Sequence, residues 1–437
     1  MNPAYAAYNL IGMGLFFSLF PPFLLYSRLT GKYRRQMAQR LGRYNDRTLG
    51  HIQGAPRIWI HAVSVGEVTA AAAIIEALKE SFPQGAIILS TITEQGYEVA
   101  RSRYESLATC ILAPIDTVFS TRFSIRAIRP DILVLVETEL WPIWLQETRR
   151  HGIPAVLVNG RLSVRSFSGY MKIRPLMRSV FANIDILSMI SQEDALRIQR
   201  MGADPSRIRI HGNAKYDGLI EATSEAVRQE MARLFHLNGT EPVLVAGSTR
   251  RTEEEMVITA FRQVRRNRGD AVLILAPRHL SKLPGIITML NRTGMAYQLR
   301  SELDEPGVRR RAPVVVLDTM GELFSVYSIA TVVFCGGSLV PLGGQNVLEP
   351  AAWGKPVLYG PSMDDFLDAK QLLETFGGGI PVNSVSTLAE TVQGLFDDSA
   401  RATAVGQRAL QAVSRNQGAG KRHAGEVVRC LATGGGI

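Results

Sequence analysis

Residues 336–361 read Gly-Gly-Ser-Leu-Val-Pro-Leu-Gly-Gly-Gln-Asn-Val-Leu-Glu-Pro-Ala-Ala-Trp-Gly-Lys-Pro-Val-Leu-Tyr-Gly-Pro. The apolar run 331–335 before them predicts a buried parallel strand, 346–352 a short helix, and 356–359 the next strand. The glycines therefore fall at a strand end, where the backbone must turn sharply and is expected to leave N–H groups open to a ligand. An anion bound there would meet the positive end of a helix beginning near Asn346. Asn346 and Glu349 share one helical face, an amide and a carboxylate suited to a phosphate edge and a ribose hydroxyl pair. The same two residues also fit an N-cap and its capping-box partner, and the two readings are compatible.

Working outward, other predicted strands end in the same manner. Strand 243–246 runs into Gly247-Ser-Thr-Arg250, 271–275 into Pro277-Arg278-His279, and 314–317 into Thr319-Met-Gly-Glu-Leu323. The preceding half alternates in the same way, with strands expected at 58–63, 86–90, 109–112, 132–136, 155–158, 184–188 and 208–211. Such alternation predicts a mostly parallel sheet covered on both faces, with ligands beyond the carboxyl ends of its strands. Two of these ends carry acids. His61-Ala-Val-Ser-Val-Gly-Glu67 places Glu67 at the start of a helix predicted over 68–80, where it could also simply answer the helix dipole. Glu137-Thr-Glu-Leu-Trp-Pro142 sets two carboxylates, an aromatic and a helix-starting proline directly after five apolar residues.

A chain of 437 residues is too long for one ordinary core, so two α/β domains are expected. An apolar content of 46% excludes general disorder. Cys110, Cys335 and Cys430 lack metal-ligand spacing and suggest a reducing compartment without a disulfide framework.

The net charge of +10 is concentrated in two places. Up to Gly50 there are seven basic residues (Arg28, Lys32, Arg34, Arg35, Arg40, Arg43, Arg47) against Asp46 alone. Residues 159–183 add Arg161, Arg165, Lys172, Arg174 and Arg178 with no acid, interleaved with Phe167, Tyr170, Met171 and Ile173 as in an amphipathic helix. That stretch packs on the domain, contacts anionic lipid, or does both.

No side chain in 1–27 is charged, and 10–26 is almost continuously apolar, long enough to reach across a bilayer although Pro21-Pro22 should kink a helix there. The cations that follow place the remainder on the cytoplasmic side. A cleaved signal peptide would carry its basic residues before the apolar run instead. The expected organisation is an anchor over 1–27, a basic juxtamembrane segment over 28–50, a first domain over 51–220, and a second over 221–437 that includes the C-terminal helices.

No dinucleotide fingerprint follows the first strand and no Walker loop is present, which disfavours hydride transfer and P-loop phosphoryl transfer. No His or carboxylate cluster requires a metal. Two doubly wound domains with acids on one side and phosphate-binding loops on the other point to nucleotide-dependent group transfer. A nonenzymatic membrane-bound binder would leave the acids at strand exits unexplained, and the basic residues match no nucleic-acid-binding motif.

In this order, the apolar N-terminus and its basic flank, 61–67, 137–142, 159–163, 212–217, 277–279 and 336–361 resemble the 3-deoxy-D-manno-octulosonic acid (Kdo) transferases of lipopolysaccharide synthesis. The resemblance implies a GT-B glycosyltransferase, with two Rossmann-like domains facing a central cleft, that moves Kdo from CMP-Kdo to the lipid A precursor at the anionic inner membrane. CMP-Kdo is then a substrate, and neither cofactor nor metal is implied. By position, Glu67 resembles the family's catalytic base, and Glu137 and Lys215 its transition-state-stabilising residues. Pro277, Arg278, Met320, Gly321, Glu322, Asn346, Val347, Leu348 and Glu349 match the positions that hold CMP. The family's β-linked donor and α-linked product imply inversion. Asp365-Phe366 departs from the Asn-Phe pair expected after Pro361, which puts a donor contact by that amide in doubt.

Overall fold

Strands built almost wholly of Val, Ile, Leu and Ala are buried on both faces, and that is how the chain satisfies them. In a computed structural model describing residues 3–30 and 37–434, the core strands form two seven-stranded, all-parallel sheets. The first contains β1 (Arg57–His61), β2 (Ala86–Thr91), β3 (Thr109–Leu112), β4 (Ile132–Val136), β5 (Ala155–Gly160), β6 (Ile186–Met189) and β7 (Ile208–Ile210). Its order is β3-β2-β1-β4-β5-β6-β7. The second contains β8 (Val243–Thr249), β9 (Val272–Pro277), β10 (Tyr297–Leu299), β11 (Val314–Val316), β12 (Val332–Cys335), β13 (Val357–Tyr359) and β14 (Gly379–Pro381), in the order β10-β11-β9-β8-β12-β13-β14. The strand order reverses between β1 and β4 in one sheet and between β8 and β12 in the other, and ligands of open α/β sheets bind at such switch points.

The chain divides into one unit of Met1–Asp217 with Gln417–Ile437 and another of Gly218–Asn416. This corrects the expectation that all C-terminal helices belong to the second domain. Helix Ala419–Gly434 packs on the first sheet, where Ala419, Ala424, Val427 and Cys430 join the core of Ile58, Ile60, Val134 and Val156. Asp217 holds its start by accepting from the amides of Ala419 (3.2 Å) and Gly420 (2.6 Å).

Four further expectations change. The helix predicted over 68–80 begins earlier, at Val65, and breaks into Val65–Ala70 and Ala72–Ser81, because Ser64 and Glu67 cap its start. The basic amphipathic stretch forms two helices, Val164–Lys172 and Arg174–Phe181, with Pro175 in the first turn of the second, where its missing N–H costs nothing. The N-terminal helix Pro3–Thr30 continues through Pro21 and Pro22. Within the basic segment, residues 31–36, with Lys32, Arg34 and Arg35, lie outside the described residues; Met37 onward folds onto the first unit, where Arg40 Nη2 donates to Ile92 O at 2.6 Å. The half-exposed edge strands β10 and β14, three residues each, had no readable pattern.

Candidate active site

Beyond β1 the chain turns through Ser64 into helix Val65–Ala70, and Glu67 lies in its first turn. Its carboxylate reaches back to the helix start. Val63 N–H donates a short hydrogen bond to Oε2, Ser64 N–H donates to the same oxygen at 3.3 Å, and Ser64 Oγ donates to Oε1 at 3.3 Å. The helix-start role expected of this carboxylate is thus filled. Burial, followed by the negative charges of Glu139 and Glu137, pushes the Glu67 carboxyl up to about 7 against the pull of those amides.

Glu137 leaves β4 in the left-handed region at φ 60°. For a residue with a Cβ this costs about 1–3 kcal/mol, and such conformations persist where the surroundings over-determine them. Two residues on, Glu139 accepts from Trp141 Nε1 at 2.9 Å, and burial raises its pKa. An aromatic layer lies alongside: the ring of buried His61 approaches Trp144 at 4.7 Å and Trp141 at 5.9 Å, and Trp59 approaches Trp144 at 4.8 Å. His61 Nδ1 is within 3.0 Å of Ser90 Oγ, and burial lowers its pKa to about 3, so it stays neutral.

Lys215 is half-buried in the single 3₁₀ turn Ala214–Tyr216, which packs against helices Val65–Ala70 and Ala72–Ser81. Two buried residues fix that loop. Asn159, left-handed at φ 50°, accepts from the Ala214 amide at 2.8 Å. His423, on the C-terminal helix, pairs through Nδ1 with Ser188 Oγ at 2.7 Å and through Nε2 with Gly212 O at 2.9 Å. Sequence reading missed His423 because its partners lie more than two hundred positions away. The structure thus brings Glu67, Glu137, Glu139 and the Lys215 loop to the β1–β4 end of one unit.

In the second unit, left-handed Ser248 (φ 54°) falls one residue before the end of β8, with Arg251 (φ 59°) following, and Gly336 directly follows β12. These exits are in such close contact that a Cβ on Gly336 would lie 2.5 Å from Thr249 Cα. Gly360 is equally confined, since a Cβ there would meet Ser338 O at 2.2 Å. The glycine-loop amides expected to face a ligand are in part already taken. Glu253, fully buried in the first turn of helix Glu253–Asn267, accepts from the N–H groups of Gly337 (2.5 Å), Ser338 (2.9 Å), Leu339 (2.8 Å) and Arg250 (3.0 Å). A run of three glutamates at a helix start reads in sequence as a solvated response to the dipole, so nothing in the sequence marked Glu253 as special.

The helix after the loop begins at Leu348, not Asn346, and has five residues. Asn346 Oδ1 accepts from Leu348 N–H at 3.1 Å and its Nδ2 donates to Glu349 Oε1 at 3.1 Å, but the N-cap position is Val347 and the two side chains bond each other, so the expected N-cap and capping box at Asn346 do not form. Val347 and Leu348 are buried in the core and can offer a ligand only backbone. Pro277 ends β9 in the core, while Arg278 is exposed, with its amide donating to Thr249 O at 3.0 Å. Met320 is exposed, Gly321 takes φ 90°, and Glu322 accepts from Thr319 Oγ1 (2.8 Å) and Arg300 Nη2 (2.9 Å). Asp365 lies against Gly343, whose added Cβ would meet its Oδ2 at 2.3 Å.

A sequence profile of the family described as 3-deoxy-D-manno-octulosonic-acid transferase (kdotransferase) matches residues 35–218. A Chlamydia trachomatis serovar A protein named 3-deoxy-D-manno-octulosonic acid transferase is 30% identical over 349 residues, 78% of each chain. A Haemophilus influenzae protein of the same name is 29% identical over 399 residues, 91% of this chain and 92% of that one. Among solved structures, Anabaena HepE in complex with UDP aligns with a TM-score of 0.61 at 12% identity, covering 86% of this chain and 100% of that one. The Neisseria meningitidis UDP-GlcNAc 2-epimerase bound to UDP-GlcNAc gives 0.60 at 11% identity, with 86% and 100% covered. At these identities the likeness is one of fold, the two doubly wound units of the GT-B class.

Proposed function

The chain belongs to the 3-deoxy-D-manno-octulosonic acid (Kdo) transferase family, and on that basis we propose that it transfers Kdo from CMP-Kdo to the lipid A precursor lipid IVA, with inversion and without a metal. The observation that carries the mechanism is Glu67, a carboxylate held at a strand exit with its pKa pushed up to about 7. A sugar hydroxyl is a weak nucleophile at neutral pH, and a base poised near the working pH contributes about 10²–10⁴-fold. In a single displacement the acceptor oxygen attacks the anomeric carbon of Kdo as its proton passes to Glu67. The bond from that carbon to the phosphate oxygen breaks on the opposite face, and CMP leaves with the electron pair. Glu137 stabilises the positive charge that develops at the anomeric centre, and the cations Lys215 and Arg278 the negative charge on the departing phosphate.

Donor binding is assigned to the second unit, through Pro277, Arg278, Met320–Glu322 and Asn346–Glu349. Among the described residues no three His, Cys, Asp or Glu side chains gather as metal ligands. The N-terminal helix, apolar enough over Tyr5–Phe23 to cross a membrane, holds the enzyme to the inner membrane with its catalytic units on the cytoplasmic side. The test is transfer to detergent-dispersed lipid IVA, with CMP-Kdo compared against UDP-sugars as donors and the product anomer read by NMR. Turnover with a UDP-sugar and none with CMP-Kdo would overturn the donor assignment, and a β-linked product would overturn inversion.

A further inference from the structure

The N-terminal helix does not stand away from the enzyme. Tyr5, Tyr8 and Phe16 fall on one helical face, and that face lies against the first unit. Tyr5 is 3% exposed, and its hydroxyl accepts from Asn183 Nδ2 at 2.9 Å. Tyr8 Oη donates to Asp116 Oδ2 at 3.0 Å, and the Phe16 ring meets Phe119 edge-on at 5.3 Å. Asp116 is itself built into the fold, accepting from the amides of Ile143 (3.3 Å) and Trp144 (3.0 Å) at the helix that follows Glu137–Trp141. The chain re-enters the same unit at Met37–Arg40, where Gln39 Oε1 accepts from the Leu112 amide at 2.8 Å.

These attachments decide the topology. A helix of 28 residues is about 42 Å long, enough in principle to cross a hydrocarbon core of about 30 Å. With Tyr5 and Tyr8 hydrogen-bonded to the unit, however, only Thr30 could lie on the far side. The seven residue steps back to buried Met37 reach at most about 25 Å, too short to cross. Both ends of the helix therefore lie on the side of the first unit. Its outward surface is apolar, with Leu10 77%, Ile11 62%, Phe17 62% and Leu19 63% exposed. Phe123 shares a helix face with Phe119, and Met171 and Ile173, also exposed, flank the exposed cations Lys172 and Arg174.

We propose that this helix is monotopic: latched to the first unit by Tyr5, Tyr8 and Phe16, it lies in one anionic leaflet and does not span the bilayer. The inference rests on the membrane reading above and changes its geometry. Apolar residues enter the acyl boundary while the neighbouring cations meet anionic headgroups. The acceptor's phosphorylated end, at the same headgroup level, is then beside the β1–β4 end without any part of the enzyme crossing the membrane.

The test uses the full-length enzyme carrying Asn2→Cys and Cys110→Ser, the two remaining cysteines being buried. A membrane-impermeant maleimide should label it at least tenfold faster in inverted inner-membrane vesicles than in spheroplasts; the reverse would overturn the monotopic assignment while leaving a membrane anchor intact. In a second arm, Leu15→Glu with Phe17→Glu should weaken binding to phosphatidylethanolamine–phosphatidylglycerol (3:1) vesicles at least tenfold, with transfer to detergent-dispersed acceptor unchanged. Unchanged vesicle binding by that variant would overturn the leaflet contact. Failure of the unsubstituted enzyme to bind the vesicles at all would overturn the membrane reading itself.

Discussion

A carboxylate that accepts hydrogen bonds from a helix start ordinarily ionises easily, yet burial and two neighbouring acids leave Glu67 at about 7. Its base form accumulates as pH rises through that value. Where chemistry limits, turnover should climb about tenfold per pH unit below 7 and level off above it. Glu67→Gln should abolish that limb, lower turnover at least about a hundredfold, and leave CMP affinity by calorimetry unchanged. The same shift bears on stability. A carboxyl whose folded pKa is raised contributes stability that is present below its unfolded value and lost as pH rises through about 7. Glu67→Gln should therefore raise Tm relative to the unsubstituted enzyme at pH 8 but not at pH 4, with the loss of function accompanying a gain in stability. Glu253 makes the opposite case. Glu253→Ala leaves four loop amides without their acceptor, and should cost about 3 kcal/mol or more by urea unfolding and weaken CMP binding. Glu253→Gln should rescue little, because its NH₂ group would face N–H donors.

At the scale of elements, the site depends on strand exits held in register by close backbone approach. Gly336→Ala would drive a Cβ to 2.5 Å from Thr249 Cα, so β8 and β12 must separate at the point where the loops that follow them meet. Lower Tm and weaker CMP binding are expected together. Helix Ala419–Gly434 is the other decisive element, since Gly420 lies close enough to Ala73 that a Cβ would approach to 2.5 Å, and His423 and Asp217 tie it to the Lys215 loop. Deleting residues 417–437 should remove hydrogen-exchange protection from β1, β4 and β5 and abolish transfer, while CMP still binds through the second unit. Loss of CMP binding with an intact first sheet would reverse that assignment of elements.

For the whole molecule, the charge of +10 acts locally. Lys172 and Arg174 are exposed on the junction between the two basic helices, and on the proposed function they would attract a polyanionic acceptor with a strength that falls with the Debye length, from about 30 Å at 0.01 M salt to about 8 Å at 0.15 M. Lys172→Ala with Arg174→Ala should raise the acceptor KM more at low salt than at high, with kcat and CMP affinity unchanged. Equal KM values in the two enzymes at low salt would return these cations to ordinary solvation.

Much of this architecture was legible in the chain itself. Continuous apolar runs ending in glycine, acids or Pro-Arg identified most core strands and put candidate side chains at their exits, because strand burial and turn chemistry are local properties written at short range. The proximity of Asn346 and Glu349 was readable for the same reason, as their spacing lies within one turn, although the helix begins two residues later than expected. What required the tertiary structure was everything set by long-range pairing: the strand order that puts Glu67 and Glu137 at one switch point, Glu253 occupying the loop amides, and the C-terminal helix returning to brace Lys215. The N-terminal helix divides along the same line. Its length and apolarity, local quantities, made it long and apolar enough to meet lipid, whereas only the distant partners Asn183 and Asp116 decided that it lies against the first unit, since a hydrogen bond across more than a hundred residues leaves no trace in composition or period.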